Sequence, residues 1–213
     1  MSDDINLNIL IFGESFLGEA FLESCMSIDL TNNKFYTSKI NDSTKLIRIN
    51  GMDVLFNMRY CTKNLNLMLP GVIESKLAKA HAIVLLYDIT QSETFEQLKN
   101  DYIDLIKTHS KDAKLILIGV NSDKENERKV LKDEVKNFSK KNKMKEIEVT
   151  QLNDNVHTFF DILVELLIGN KSKKKLIEKY CKKDEENSES KKKCIIFWSL
   201  INNIILKKKV YLE

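Results

Sequence analysis

The sequence predicts an α/β protein in which a mostly parallel sheet is covered by helices on both faces. Short β-branched apolar runs alternate with helical patterns along the chain, and this alternation is typical of parallel sheets. The runs AIVLLY and LILIG are almost continuously apolar, as buried strands are. The pair Asn50-Gly51 adds a hairpin signal, which predicts one antiparallel edge hairpin in the sheet.

The same patterns predict six strands and five helices. We expect strands at Ile5–Phe12, Lys45–Ile49, Asp53–Met58, Ala82–Tyr87, Lys114–Gly119 and Glu146–Thr150. We expect helices at Gly18–Met26, Val72–Ala80, Glu93–Thr108, Leu131–Lys141 and Asn155–Ile168. Ser92 is expected to cap the third helix, and Gly169 to end the last one.

Composition indicates one globular domain followed by a basic tail. The chain has 213 residues, 43% of them hydrophobic and 31% charged, which is enough for one sizeable core. Residues 171–213 carry 13 lysines and 6 acids, net +7, whereas residues 1–170 carry net −4. We therefore expect a domain at 1–170, a Lys/Glu-rich linker at 171–193 and an apolar and basic segment at 194–213. An acidic body argues against nucleic acid as a partner.

Cysteine usage indicates the compartment. Cys25, Cys61, Cys181 and Cys194 show no metal-ligand spacing, and no apolar leader follows Met1. The sequence therefore predicts a cytoplasmic protein without disulfides or a zinc site.

Two segments resemble a known family. GESFLG, between the first strand and the first helix, has the frame of a phosphate loop, in which free backbone N–H groups face a phosphate. An ordinary strand-to-helix turn with two glycines is the alternative. The stretch AHAIVLLYDITQSETFEQLKNDYIDLIKTHSKDAKLILIGVNSDK resembles the Rab and Ras small GTPases. The resemblance spans residues 5–168 and implies the three-layer P-loop NTPase fold of a G domain.

The residues that handle phosphate and metal in that family are replaced here. Glu19 and Ala20 stand where the family has a phosphate-neutralising lysine and a hydroxyl ligand of Mg²⁺. A charge pair about 4 Å apart at an effective dielectric of ~20 interacts by about 4 kcal/mol. Replacing that lysine by Glu19 turns an attraction into a repulsion. We therefore expect phosphate binding to weaken by several kcal/mol, about the size of that interaction. Glu14 adds another acid to the loop.

The family's Asp-x-x-Gly motif is also missing. The resemblance places it at Asn57 to Tyr60, which contains neither the acid nor the glycine. No glutamine lies near Cys61 or Thr62 to orient an attacking water, so hydrolysis by the family mechanism is not expected.

Guanine recognition keeps part of the family pattern. The family's Asn-Lys-x-Asp loop aligns with Val120 to Asp123 and retains the acid, whereas a shift of one residue restores the asparagine instead. The candidate nucleotide-binding residues implied by the resemblance are Gly13, Gly18, Glu19, Ala20, Asn121, Asp123, Thr150 and Gln151. No catalytic residue and no metal ligand is expected.

The tail resembles the membrane anchor of Ras relatives. Three lysines precede Cys194-Ile195-Ile196-Phe197, as in a polybasic C-a-a-X ending, but further residues follow. Prenylation is therefore not expected, and Cys194 remains a candidate for S-acylation. The run 194–206 is too short to span a bilayer, and its apolar face predicts an interfacial helix on an anionic membrane. One alternative is that this helix packs on the domain or on a partner. Another is that the native chain stops at Phe197.

These features predict a Rab/Ras-like pseudo-GTPase, a monomer that acts as a membrane-peripheral adaptor in vesicle trafficking or signalling. Effector or trafficking proteins are its expected partners, bound through the switch-side surface. The substitutions make GTP or GDP and Mg²⁺ doubtful cofactors. One alternative is a divergent GTP-binding protein with weak GTPase activity that reads guanine through Asp123. Another is an interaction module that holds an unrelated small ligand in the old cleft.

Overall fold

The computed structural model describes residues 5–27, 36–41, 43–49, 52–61, 71–150, 156 and 158–167. The strands in these ranges are β1 Ile5–Phe12, β2 Tyr36–Asn41, β3 Thr44–Ile49, β4 Met52–Cys61, β5 Ala82–Asp88, β6 Lys114–Val120 and β7 Lys145–Glu148. The helices are α1 Ser15–Ser27, α2 Val72–Ala78, α3 Ser92–Gln97, α4 Ile103–His109, α5 Lys132–Lys141 and α6 at 158–167. A π-helical turn, Leu98–Tyr102, joins α3 to α4, and a 3₁₀ turn lies at Glu125–Glu127.

The strands form one sheet in the order β2-β3-β4-β1-β5-β6-β7. β1 pairs in parallel with both β4 and β5, and β5, β6 and β7 continue in parallel. β2-β3 and β3-β4 are antiparallel. The predicted fold class is confirmed, and all six predicted strands are present. The structure adds β2, which extends the antiparallel edge. The turn at Asn50-Gly51 lies outside the described residues.

The sheet is buried because alternate residues of its central strands face helices on opposite sides. On one face, a buried cluster joins Phe12, Leu85 and Tyr87 to α2, α3, α4 and α5. On the other face, the Phe21 ring of α1 packs edge-on against Phe159 with 4.9 Å between ring centres. This three-layer packing leaves the carboxyl ends of β1, β5 and β6 as a common edge, where loops can form a site.

Several helix boundaries differ from the sequence prediction, and one predicted helix is interrupted. α1 begins at Ser15, before the predicted start at Gly18. Gln91, not Ser92, occupies the N-cap of α3, and Ser92 is the first helical residue. The predicted third helix is interrupted by the π-helical turn, which buries Tyr102 against Phe12 with 5.2 Å between ring centres. The predicted stop at Gly169 lies outside the described residues.

Candidate functional site

A cavity of about 300 Å³ opens at the carboxyl ends of β1, β5 and β6. The strand order reverses at β1: β2, β3 and β4 lie on one side of it, and β5, β6 and β7 lie on the other. Open α/β sheets bind their ligands at such a switch point. The cavity is lined by Glu14, Phe16, Leu17, Ala20, Ser24, Asp88, Gln91, Val120, Asn121 and Thr150.

The segment between the two phosphate-loop glycines is mostly helical. α1 starts at Ser15, and the N–H of Gly18 donates to the Glu14 carbonyl at 2.9 Å, which is an ordinary helical bond. The sequence predicted that free backbone N–H groups of this loop would face a phosphate. Gly13 retains a special backbone role, because an added Cβ would lie 2.9 Å from the carbonyl oxygen of Leu86. The winding of α1 thus removes part of the amide cradle that a phosphate loop offers.

Tyr60 covers what remains of the loop. It lies near the end of β4, in register with Ile11 of β1, and its ring packs on Gly18 so closely that an added Cβ would come within 2.1 Å of it. The Tyr60 hydroxyl donates to the Gly13 carbonyl at 3.2 Å. Burial, with a smaller contribution from Glu19, raises the pKa of Tyr60, so the hydroxyl stays a donor. One aromatic side chain therefore bridges both glycines of the motif.

Only the last residue of the predicted Asp-x-x-Gly window, Tyr60, lies at the phosphate loop. Asn57 pairs with Asn8 inside the sheet. Its side chain accepts a hydrogen bond from the Thr44 hydroxyl at 3.2 Å and donates to the Asn8 side chain at 3.5 Å. Because β4 continues to Cys61, the residue that reaches the phosphate loop is Tyr60, three positions further along. The first residue of the predicted window therefore lies inside the sheet, and its last residue lies at the loop.

Asp88 organises the opposite wall of the cavity. Its carboxylate accepts from the Thr90 N–H at 2.8 Å, the Thr90 hydroxyl at 2.7 Å and the Gln91 amide at 3.2 Å. Asn121 donates to the same carboxylate at 2.8 Å and has a left-handed backbone with φ of 64°. This network holds the β5 turn and the β6 turn together at the cavity.

The structure brings some of the predicted site residues together and leaves others apart. Ala20, Asn121 and Thr150 line the cavity, whereas Asp123 is exposed and does not. Glu19 is exposed on α1 outside the cavity lining, and Gly13 and Gly18 lie beneath Tyr60. Gln151 and Cys194 lie outside the described residues.

Sequence reasoning missed three residues that shape the site: Phe16, Tyr60 and Asp88. Asp88 ends a buried strand, and the rule that sites form at the carboxyl ends of strands would have found it. Phe16 had a weaker signal, as an aromatic residue between two loop glycines. Tyr60 had no signal in the sequence, since its contact with Gly18 depends on the pairing register of β4 and β1.

A nucleoside triphosphate with Mg²⁺ does not fit these residues. The Gly18 amide is already bonded, Tyr60 occupies the loop, and Ala20 has no oxygen for a metal. The charged side chains that line the cavity, Glu14 and Asp88, are both acidic, so they repel phosphate. In the part of the chain that the structure describes, no cluster of three His, Cys, Asp or Glu residues is placed to hold a metal ion.

A helix must be long and apolar to cross a membrane. None of the helices within the described ranges is both long enough and apolar enough to span a bilayer.

Comparison with known proteins identifies the family. The model of the Ras family matches residues 8–169. The chain is 24% identical over 185 residues to the Ras-related protein RabC of Dictyostelium discoideum, covering 84% of this chain and 92% of that protein. It is 26% identical over 183 residues to RABA4b of Arabidopsis thaliana, covering 81% and 77%. For SEC4 of Candida albicans the identity is 25% over 173 residues, covering 77% and 78%. With the P-loop GTPase fold described above, this match shows that the chain belongs to the Ras family of small GTPases, with Rab-type relatives.

Proposed function

We propose that this protein is a Rab/Ras-like pseudo-GTPase, a membrane-peripheral adaptor in vesicle trafficking or signalling that works without GTP and Mg²⁺. The placement of Tyr60 carries the proposal. Its ring lies on Gly18 and its hydroxyl is bonded to Gly13, so the side chain covers both glycines of the loop with which the family binds phosphate.

Charge and hydrogen bonding support the same conclusion. The replacement of the phosphate-neutralising lysine by Glu19 reverses a charge, and Glu14 and Asp88 line the adjoining cavity. At an effective dielectric of ~20, a charge reversal at contact distance changes phosphate affinity by several kcal/mol, and the exposure of Glu19 reduces its share of that value through solvent screening. Ala20 removes a metal ligand. Among the described residues, no lysine or arginine lines the cavity.

An adaptor role follows from the loss of the switch. In the family, γ-phosphate and Mg²⁺ order the switch loops, and hydrolysis releases them. A ligand that does not distinguish two conformations cannot shift their populations. We therefore expect this chain to present one surface to effector or trafficking proteins regardless of nucleotide. The basic tail supplies attraction to an anionic membrane.

The decisive experiment is nucleotide analysis of the native protein. Purified full-length chain is denatured, and the released small molecules are chromatographed beside those from an active Rab protein prepared in the same way. We expect far less than one guanine nucleotide per chain. Stoichiometric GDP or GTP would contradict the proposal.

Thermal denaturation with GDP and Mg²⁺ separates the proposal from a divergent but functional GTP-binding protein. A ligand at about 100 times its Kd stabilises the folded state by about 2.7 kcal/mol, so binding is visible as a rise in Tm. We expect no rise at millimolar GDP. A rise that Asp123→Ala removes would instead identify the divergent GTPase.

A further inference from the structure

The segments that precede β5, β6 and β7 lie together at the edge of the domain opposite the cavity. Parallel strands start on the same side of a sheet, so these three segments meet there. Lys114 pairs with Ala82 at the start of β5, and its N–H donates to the His81 carbonyl at 3.0 Å. Lys145 pairs with Ile116, two residues further along β6. Neighbouring strands lie about 4.8 Å apart, so the three strand starts fall within roughly 10 Å of one another.

This edge is rich in lysine, although residues 1–170 as a whole carry net −4. The segments 79–81, 110–114 and 140–145 hold seven lysines and a single acid, Asp112. All seven lysines are exposed, and none of them forms an ion pair within the described part of the chain. We call these lysines the basic edge: Lys79, Lys111, Lys114, Lys140, Lys141, Lys143 and Lys145.

A tight turn gathers four of these lysines. α5 ends at Lys141, and the chain reverses into β7 through Lys143, which has a left-handed backbone with φ of 54°. The N–H of Lys143 donates to the Lys140 carbonyl at 3.3 Å, and the N–H of Met144 donates to the Ser139 carbonyl at 2.9 Å. Lysines at the end of a helix complement its dipole, which accounts for those in the last turn of α5. The helix dipole does not account for the lysines in the loop before β6 or at the starts of β6 and β7.

The composition of the basic edge favours a membrane over a protein as its partner. Protein interfaces are enriched in arginine and aromatic residues and depleted of lysine. The three segments contain no arginine, and the large apolar residues that are exposed in the described ranges, Phe16 and Leu131, lie elsewhere. A lysine near an anionic bilayer needs no fixed geometry, because it acts as a point charge toward many headgroups.

Charge screening allows an acidic domain to face such a bilayer with one edge. Exposed charges further apart than a Debye length, about 8 Å at physiological salt, are largely screened from each other. The tail therefore supplies the attraction that brings the chain to the membrane, and the edge that comes within this distance decides how the domain lies. Glu14 and Asp88 line the cavity at the opposite edge, so the reverse orientation would bring acids to the bilayer.

We propose that the basic edge lies against an anionic membrane and turns the cavity away from it. The proposal rests on the membrane-peripheral part of the proposed function and adds a defined orientation of the domain. In this orientation the loops after β5 and β6 stay accessible to partner proteins.

The test measures binding of the full-length chain to phosphatidylcholine vesicles with and without phosphatidylserine. Lys111, Lys114 and Lys145 are replaced by glutamine together. We expect affinity for the anionic vesicles to fall about tenfold, since each lysine near such a surface contributes up to about fivefold. Binding to phosphatidylcholine alone should change little.

Lys124, Lys129 and Lys132 provide the matched control. They are exposed, they follow the carboxyl end of β6, and their replacement by glutamine removes the same charge. β6 has seven residues and is about 23 Å long, so in the proposed orientation these lysines stay beyond a Debye length from the bilayer. Their replacement should change affinity by less than about twofold.

Lipids with a paramagnetic headgroup report the orientation directly. Relaxation of backbone amide NMR signals should be enhanced more strongly at Lys143 and Lys145 than at Asn121 and Asp123, which follow the carboxyl end of β6. The opposite pattern would overturn the proposal.

Equal loss of affinity in the two triple variants would also overturn it. So would a soluble polyglutamate peptide that binds the basic edge as tightly as the anionic vesicles do, because it would assign the edge to an acidic protein. These failures leave the proposed function standing. A native chain that binds no anionic vesicle would contradict the membrane-peripheral role itself, and the nucleotide analysis tests the pseudo-GTPase role independently.

Discussion

Tyr60 and Gly18 form a close contact at the loop between β1 and α1. Glycine inside a helix normally costs about 1 kcal/mol relative to alanine. Gly18 lies inside α1, yet the Tyr60 ring fills the space that a Cβ would need. The same glycine that a phosphate loop requires is here required by an aromatic ring. A motif glycine can therefore be required by a packing contact as well as by a ligand.

This contact predicts that the effect of Gly18→Ala changes sign with the residue at position 60. In the native chain, the new methyl group would displace the Tyr60 ring and lower the free energy of unfolding by about 1–2 kcal/mol, as overpacking does. In a Tyr60→Ala background the clash is absent, and the higher helix propensity of alanine should raise the free energy of unfolding by up to about 1 kcal/mol. Urea denaturation of the four proteins measures the cycle.

Tyr60→Phe is the control for the ring itself. It keeps the packing on Gly18 and removes only the hydroxyl that donates to the Gly13 carbonyl, so Gly18→Ala should remain destabilising in this background. A Gly18→Ala effect that is the same in the native chain and in the Tyr60→Ala background would mean that the ring does not cover Gly18 in solution.

At the scale of elements, Arg128 fastens the segment after β6 to the sheet edge. Its guanidinium forms two hydrogen bonds with Glu148 of β7, at 2.6 and 2.9 Å, and two with Glu125 of the 3₁₀ turn, at 2.9 and 3.0 Å. Glu148 also accepts from the Tyr87 hydroxyl at 3.2 Å, and burial, then Glu148, raises the pKa of Tyr87. The segment that follows the cavity is thus held by a charge network in addition to the buried side chain of Val130.

Arg128→Met is expected to lower the free energy of unfolding by about 2 kcal/mol, since it leaves the Glu148 carboxylate without its cation. Lys132→Met is the control: Lys132 contacts the same Glu125 at 3.0 Å, but both side chains are at least half exposed. Its effect should stay below about 1 kcal/mol, as for other surface ion pairs. Denaturant unfolding of both variants measures the difference, and equal effects would show that burial of the Arg128 network is unimportant.

The same network predicts an acid dependence. Hydrogen bonds from Arg128, then from Lys132, lower the pKa of Glu125 below its ordinary value of 4.5. A carboxylate with a depressed folded pKa stabilises the protein above the unfolded pKa and loses that contribution as pH falls through the folded value. The stability gap between native protein and Arg128→Met should therefore narrow below about pH 4.5. A gap that widens in acid would contradict this assignment.

The whole chain is electrostatically divided. Residues 1–170 carry net −4 and residues 171–213 net +7. Basic segments next to anionic bilayers contribute about 1 kcal/mol per lysine, within a Debye length of about 8 Å at physiological salt. The division predicts that any membrane attraction originates in the tail and is sensitive to salt.

Replacing Lys191, Lys192 and Lys193 by glutamine in the full chain tests that expectation. Sedimentation with vesicles containing phosphatidylserine should show affinity reduced by roughly 100-fold, the equivalent of about 3 kcal/mol. Vesicles of phosphatidylcholine alone serve as the control, and the substitution should change little there. Unchanged binding to the anionic vesicles would remove the polybasic segment from the proposed function.

Much of the fold was predictable because its signals are local. Buried strands such as β5 read as apolar runs, and the alternation with helical patterns is visible along the sequence. β2 was missed because its sequence YTSKIN is largely polar and belongs to a strand at the sheet edge. The site was less predictable. Asn121 and Thr150 were identified through the family resemblance, while Asp123 was expected at a cavity that it does not line.

The sequence by itself determined the fold family and the loss of the phosphate-binding lysine and hydroxyl, since those are statements about residue types at motif positions. Only the tertiary structure decided what replaced them. The alignment of β4 with β1 brings Tyr60 onto Gly18, and the turns after β5 and β6 bring Asn121 to Asp88. Both contacts join residues far apart in the chain. Strand register and turn geometry, which residue types and spacing do not encode locally, place Tyr60 against both loop glycines beside a cavity lined by Glu14 and Asp88.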